Sequence, residues 1–88
     1  MSTTIKNKLI KFGASWCSPC KQAEKYLSDN FEDSKYVNVD VTVETELAQS
    51  FGIRNVPTFV LVDADGIEVG RFTGYEPKQI QEAIALIV

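Results

Sequence analysis

Hydrophobic positions along this chain switch back and forth between strand-like and helix-like spacing. The apolar run in "NKLIKFGA", interrupted by Lys11 and closed by Gly13, predicts a strand from about Lys6 to Phe12. From Cys17 the period changes. Cys20, Ala23, Leu27 and Phe31 recur at helical intervals, while Lys21, Glu24, Lys25 and Ser28 fall off that stripe, which predicts an amphipathic helix. Ser15 or Ser18 is expected to cap it, and Pro19 fits its first turn, where a missing N–H costs no hydrogen bond. "SKYVNVDV" alternates as a second strand, with Val37, Val39 and Val41 on one face. "TVETELAQSFG" predicts a short helix with Thr42 as cap, acids in the first turn, Leu47 and Phe51 inward, and Gly52 as its stop.

The last third has a different texture. A β-branched and aromatic run, Thr58 to Val62, meets the turn "DADG" and then a strand from Ile67 to Thr73, which together predict a hairpin. Gly74 ends it, Pro77 opens a final helix, and Ile80, Ala83, Ile84 and Ile87 mark its core face. The order is β-α-β-α-β-β-α. A helix between the first two strands favours parallel pairing, whereas a hairpin must be antiparallel. The expected fold is α/β: a mixed four-stranded sheet with helices on both faces, in one domain spanning 1–88.

Composition narrows the functional classes. A chain of 88 residues buries only about 60–65% of its unfolded surface, so the core is modest. The net charge of −3 argues against nucleic acid or an anionic membrane as partner, since both require clustered Lys and Arg. The polar start, Met1 to Lys8, lacks the apolar stretch of about 7–15 residues of a signal peptide. No segment approaches the ~18 apolar residues of a membrane span. A cytoplasmic location is expected, where lasting structural disulfides are rare. Histidine is absent, which removes Ser/His/Asp and Cys/His hydrolysis and His-ligated metals. A Gly-rich phosphate loop is absent too.

The only cysteines, Cys17 and Cys20, stand two residues apart in "SWCSPCKQ". As a structural staple they would close a loop worth only about 2 kcal/mol. As a metal site they supply two of about four ligands, so two chains would have to share one ion. The redox reading has a mechanism at each position. Cys17 starts a helix, where unpaired N–H groups and the dipole favour an anion by about 0.3–2 kcal/mol. A thiol of ordinary pKa near 8.5 lowered towards ~7 is about half thiolate at neutral pH. Cys20 lies one turn deeper on the core-facing stripe, so Cys17 is the attacking sulfur and Cys20 the resolving one.

With these cysteines, "WCSPC" after a strand, "VPT" opening the third strand and "TG" ending the fourth resemble the thioredoxin superfamily from Lys8 to Val88. Trp16 before the motif, Pro19 directly before Cys20, and no Gly-Gly-acid glutathione signature make it more similar to thioredoxin than to glutaredoxin. The length is nonetheless glutaredoxin-sized, like a minimal thioredoxin truncated at its N-terminus. The resemblance implies a thiol–disulfide oxidoreductase that reduces protein disulfides with no bound cofactor. It further implies a thioredoxin reductase or thiol pool as electron donor, clients such as ribonucleotide reductase, and a monomer. A binding module that merely clamps a partner, and a glutathione-coupled glutaredoxin, are the alternatives.

By resemblance, Pro57 is the family's cis-proline facing the active cysteine. Val56 before it would pair with an extended client segment. Trp16 and Gly74 would flank the client groove, with Tyr75 a weaker candidate for the same rim. Ser18 and Pro19, between the cysteines, would tune the pair. Two positions depart from the family pattern. Lys11 stands where thioredoxins usually place a buried aspartate, and Tyr36 where they place its lysine partner. Gly13 replaces a usual aromatic, leaving more space near the site. Readings of Lys11 stay open: an ammonium beneath the motif that stabilises thiolates, a deprotonated amine that serves as the base, or a side chain that snorkels to the surface. Asp63 and Asp65 read as turn acids, Glu44 and Glu46 as a solvated helix start, and Lys21 and Lys25 as solvent-facing.

Overall fold

A computed structural model describes residues 5–87; residues 1–4 of the polar start and Val88 lie outside it. The elements are β1 (Lys8–Gly13), α1 (Ser18–Asn30), a 3-10 turn (Asp33–Lys35), β2 (Tyr36–Asp40), α2 (Thr45–Ser50), β3 (Thr58–Val62), β4 (Glu68–Thr73) and α3 (Pro77–Ala85). They form one sheet in the order β2-β1-β3-β4. β1 pairs parallel with β2 and antiparallel with β3, and β3 pairs antiparallel with β4. This is the mixed four-stranded sheet that the alternation of periods implies.

β3 is buried along its whole length, as expected of an interior strand covered on both sides. Phe59 and Leu61 join Leu9 and Tyr36 on the face covered by α1 and α3, where Ala23, Leu27, Ile80, Ala83, Ile84 and Ile87 pack. Val60 and Val62 join Ile10, Phe12 and Val39 on the opposite face, which Ala48, Leu47 and Phe51 of the α2 region cover. Val37 and Val41 pack against that second cluster, so the three valines do share a face. β4 is an exposed edge whose Phe72 stacks on Phe59 with ring centroids 4.8 Å apart.

Three boundaries differ from expectation, each for a local reason. β1 begins at Lys8 because Asn7 adopts positive φ, a conformation asparagine tolerates, and donates its N–H to the Asp63 carbonyl. Thr42 does not cap α2. Its N–H and hydroxyl both donate to the Asp40 carboxylate, at 2.8 and 2.6 Å, leaving Glu44 at the cap position without a side-chain bond. β4 begins at Glu68 because the N–H of Ile67 donates to the Asp63 carboxylate and belongs to the turn. Among the described residues, no helix is long and apolar enough to cross a membrane.

Candidate active site

The loop after β1 delivers Cys17 to the start of α1. Cys17 itself, in extended conformation, is the N-cap: its sulfur accepts the N–H of Cys20 at 3.2 Å. This corrects the expectation for Ser15 or Ser18. Ser18 is already helical and exposed, and Ser15 lies too early in the turn. The cap is whichever residue stands extended immediately before the first helical one, and here that residue carries sulfur. Pro19 occupies the first turn as expected.

Cys17 and Cys20 are joined in a disulfide with Cα atoms 5.2 Å apart, inside the range such a bond spans. Cys17 keeps 6% of its surface exposed and Cys20 none, so only Cys17 of the pair reaches the surface. In the dithiol, the Cys20 N–H and the helix dipole both favour negative charge on Cys17. An exposed-edge nucleophile and a buried partner one helical turn behind it follow directly from the spacing.

The other predicted residues gather round this pair. Val56 packs on the cluster of Ala14, Cys17 and Cys20. The Val56–Pro57 peptide is cis, and the Pro57 carbonyl accepts the Gly74 N–H at 2.9 Å, which draws the end of β4 to the same side. Gly74 has φ +86, a backbone that glycine adopts without penalty. Trp16 is 71% exposed and, with Val41, Ile53, Arg54, Asn55 and Val56, lines an open pocket of ≈ 360 Å³ beside the motif. Tyr75 is not brought there. It packs edge-on against Tyr26, with centroids 6.2 Å apart, over the α1 face. A wider pocket of ≈ 890 Å³ near Val37, Val39 and Leu47 lies on the α2 face and carries no thiol.

Lys11 is 2% exposed, so it does not snorkel to the surface. Its ammonium lies beneath α1, 3.1 Å from the Glu24 carboxylate and 3.4 Å from the Cys20 carbonyl oxygen. Burial pushes the Lys11 pKa down, while Glu24, and more weakly Asp40, oppose that shift. Gly13 makes the arrangement possible. A Cβ there would stand 3.1 Å from Lys11 Cε and 3.2 Å from the Cys20 sulfur. The room that glycine leaves is shared by Lys11 and an open pocket of ≈ 280 Å³ lined also by Glu24, Asn38 and Asp40. Tyr36 takes no part; it packs on the apolar cluster and its hydroxyl donates to Asp33.

Glu24 is the residue that sequence reasoning missed. It lies off the apolar stripe, but it follows Cys20 by one helical turn and therefore shares its side of α1. A lysine on an otherwise apolar strand face calls for such a carboxylate. Among the described residues, no group of three or more His, Cys, Asp or Glu side chains is gathered as a metal site would need.

Comparison with known proteins agrees with this geometry. The thioredoxin family model matches residues 2–86. Thioredoxin H2-1 of Oryza sativa subsp. japonica is 38% identical over 84 residues, covering 92% of this chain and 60% of that protein. The chain thus spans less than two thirds of that relative. The SPbeta prophage-derived thioredoxin-like protein YosR of Bacillus subtilis is 36% identical over 77 residues, covering 88% of this chain and 94% of that one. The crystal structure of thioredoxin NaTrxh from Nicotiana alata superposes with a TM-score of 0.76 at 36% identity, covering 92% of this chain and 74% of that one. With the sulfur pair at the head of α1 and the cis-proline bond beside it, the chain belongs to the thioredoxin family and carries a thiol–disulfide redox centre in Cys17 and Cys20.

Proposed function

We propose that this protein is a cytoplasmic, monomeric reductant of protein disulfides that works without a bound cofactor. The Cys17 thiolate attacks a client disulfide, and Cys20 then attacks Cys17 to release the reduced client. The observation that carries this reading is the unequal burial of the two sulfurs at one helix N-terminus. Only Cys17 has an exposed edge for a client sulfur, and the buried sulfur is held one turn away for resolution.

The client binds as an extended segment along Val56 and Pro57, with Trp16 and Gly74 at its sides. This reading draws on the pocket beside Trp16 and the Gly74–Pro57 hydrogen bond. Ser18 and Pro19 shape the exposed turn between the sulfurs. A thioredoxin reductase or a thiol pool returns the electrons, and disulfide-bearing enzymes such as ribonucleotide reductase are the client class.

An insulin-type reduction assay tests the reading, run once with thioredoxin reductase and once with glutathione. Turnover with the reductase is expected; no turnover with either donor overturns the proposal. The same assay on Cys17→Ser separates an enzyme from a module that only clamps a partner, because a clamp keeps its complex without any sulfur chemistry.

A further inference from the structure

The redox pair rests on a charge. Lys11 rises from β1 on a sheet face that is otherwise apolar there, and its head stops under the first turns of α1 rather than in water. Its Cε and the Cys20 sulfur stand 3.1 and 3.2 Å from one point, the Cβ position at Gly13, so they are at most 6.3 Å apart. The Glu24 carboxylate, half-exposed, holds the ammonium from α1, and the Cys20 carbonyl accepts a second hydrogen bond from it. The remaining nearby charge is Asp40 on β2, whose carboxylate is engaged by Thr42. Next to these groups opens the pocket lined by Lys11, Gly13, Glu24 and Asp40.

We propose that Lys11 is a positioning residue for the resolving step: its ammonium, pinned by Glu24, stabilises the thiolate of Cys20. The assignment rests on the exchange reaction above. Once Cys17 is bonded to a client sulfur, Cys20 S–H gives its proton to water. The Cys20 thiolate attacks Cys17, forming the Cys17–Cys20 bond and breaking the Cys17–client bond. The electron pair leaves on the client sulfur, which takes a proton from water. The cysteine pair is oxidised by two electrons and the client disulfide is reduced by two.

A fully buried thiol resists ionisation, because desolvation disfavours the charged form. A cation fixed within a few ångströms offsets that penalty, and more strongly under a helix than in water. Glu24 has two opposed effects. It keeps Lys11 protonated and in place, and its own negative charge weakens the field that Cys20 feels. The net effect of Glu24 is the balance of the two, whereas the Lys11 ammonium acts on Cys20 in one direction only.

The test titrates Cys20 as the sole thiol, in a Cys17→Ser background, by thiolate absorbance. Adding Lys11→Met is expected to raise the Cys20 pKa by about one pH unit. Adding Glu24→Gln instead is expected to raise it by less, because the ammonium stays but loses the partner that holds it. In the two-cysteine protein, Lys11→Met is expected to make the redox potential more negative, because the dithiol loses its stabilised thiolate. An unchanged or lowered Cys20 pKa in Lys11→Met, or a lowered one in Glu24→Gln, overturns the assignment. Glu24→Gln alters a half-exposed helix position and keeps the question open to measurement should Lys11→Met fail to fold. Insulin reduction by the unmodified protein is measured alongside. Its absence sinks the exchange reaction, whereas its presence with an indifferent Cys20 sinks only the role of Lys11.

Discussion

The two faces of the sheet are built from the same strands yet differ in kind. The face under α2 is apolar throughout, with Ile10, Phe12, Val39, Val60 and Val62 packed on Ala48 and Phe51. The face under α1 and α3 has an equally apolar body, but towards the motif it gives way to Lys11, Gly13 and the two cysteines. One residue step along β1 decides which face a side chain serves: Ile10 and Phe12 go one way, Leu9 and Lys11 the other. A buried cation is expensive unless paired, so a lysine kept there, with a carboxylate beside it, marks where the fold is organised around chemistry.

The contrast can be broken most sharply at Cys17. Cys17→Ser is expected to abolish disulfide reduction, a loss of several orders of magnitude in an insulin assay, while thermal melting stays within a few degrees of the reduced, dithiol parent. On the other face, Phe12→Ala should do the reverse. Phe12 is fully buried and contacts Phe51 at 5.5 Å between centroids, so truncation costs about 3–5 kcal/mol in denaturant unfolding. Whatever remains folded keeps the parent redox potential.

Trp16→Ala should separate binding from both stability and sulfur chemistry. With most of its ring in solvent, its loss leaves the unfolding midpoint unchanged. It should weaken client binding by about tenfold, seen as a higher KM with kcat little altered. The smallest effect belongs to pH. Burial lowers the Lys11 pKa below its ordinary 10.5, so between the folded value and 10.5 the unfolded chain binds more protons. Stability attributable to Lys11 therefore rises with pH through that window and is at its poorest below it. Comparing unfolding of the parent and Lys11→Met from neutral to alkaline pH should show the parent gaining ground as pH rises; a constant difference would rule this out.

Most of the architecture was legible because period and punctuation agreed: β3 from its β-branched run, α3 from Pro77 and its isoleucine spacing, α2's end from Gly52. What escaped was local competition for hydrogen bonds. Thr42 had the chemistry of a cap, yet the Asp40 carboxylate two residues earlier claimed both its donors. Ser15 or Ser18 is the cap the sequence suggests for α1, but the residue standing extended before the first helical position is Cys17. In the site, the cysteines, Trp16, Val56, Pro57 and Gly74 could be placed from the motifs, whereas Tyr75 went to a different surface. The Lys11–Glu24 pair joins β1 to α1 across the sheet, a contact that periodicity within either element cannot reveal.

That Cys17 caps its own helix has a consequence for what selection can reach. Serine in its place would start α1 better, since a hydroxyl is among the preferred caps and a replaced good cap typically costs ~1 kcal/mol. The inactive protein is thus expected to be at least as robust as the active one in its dithiol form. The fold of the dithiol form does not call for sulfur at this position, so its presence there answers a demand that folding does not make.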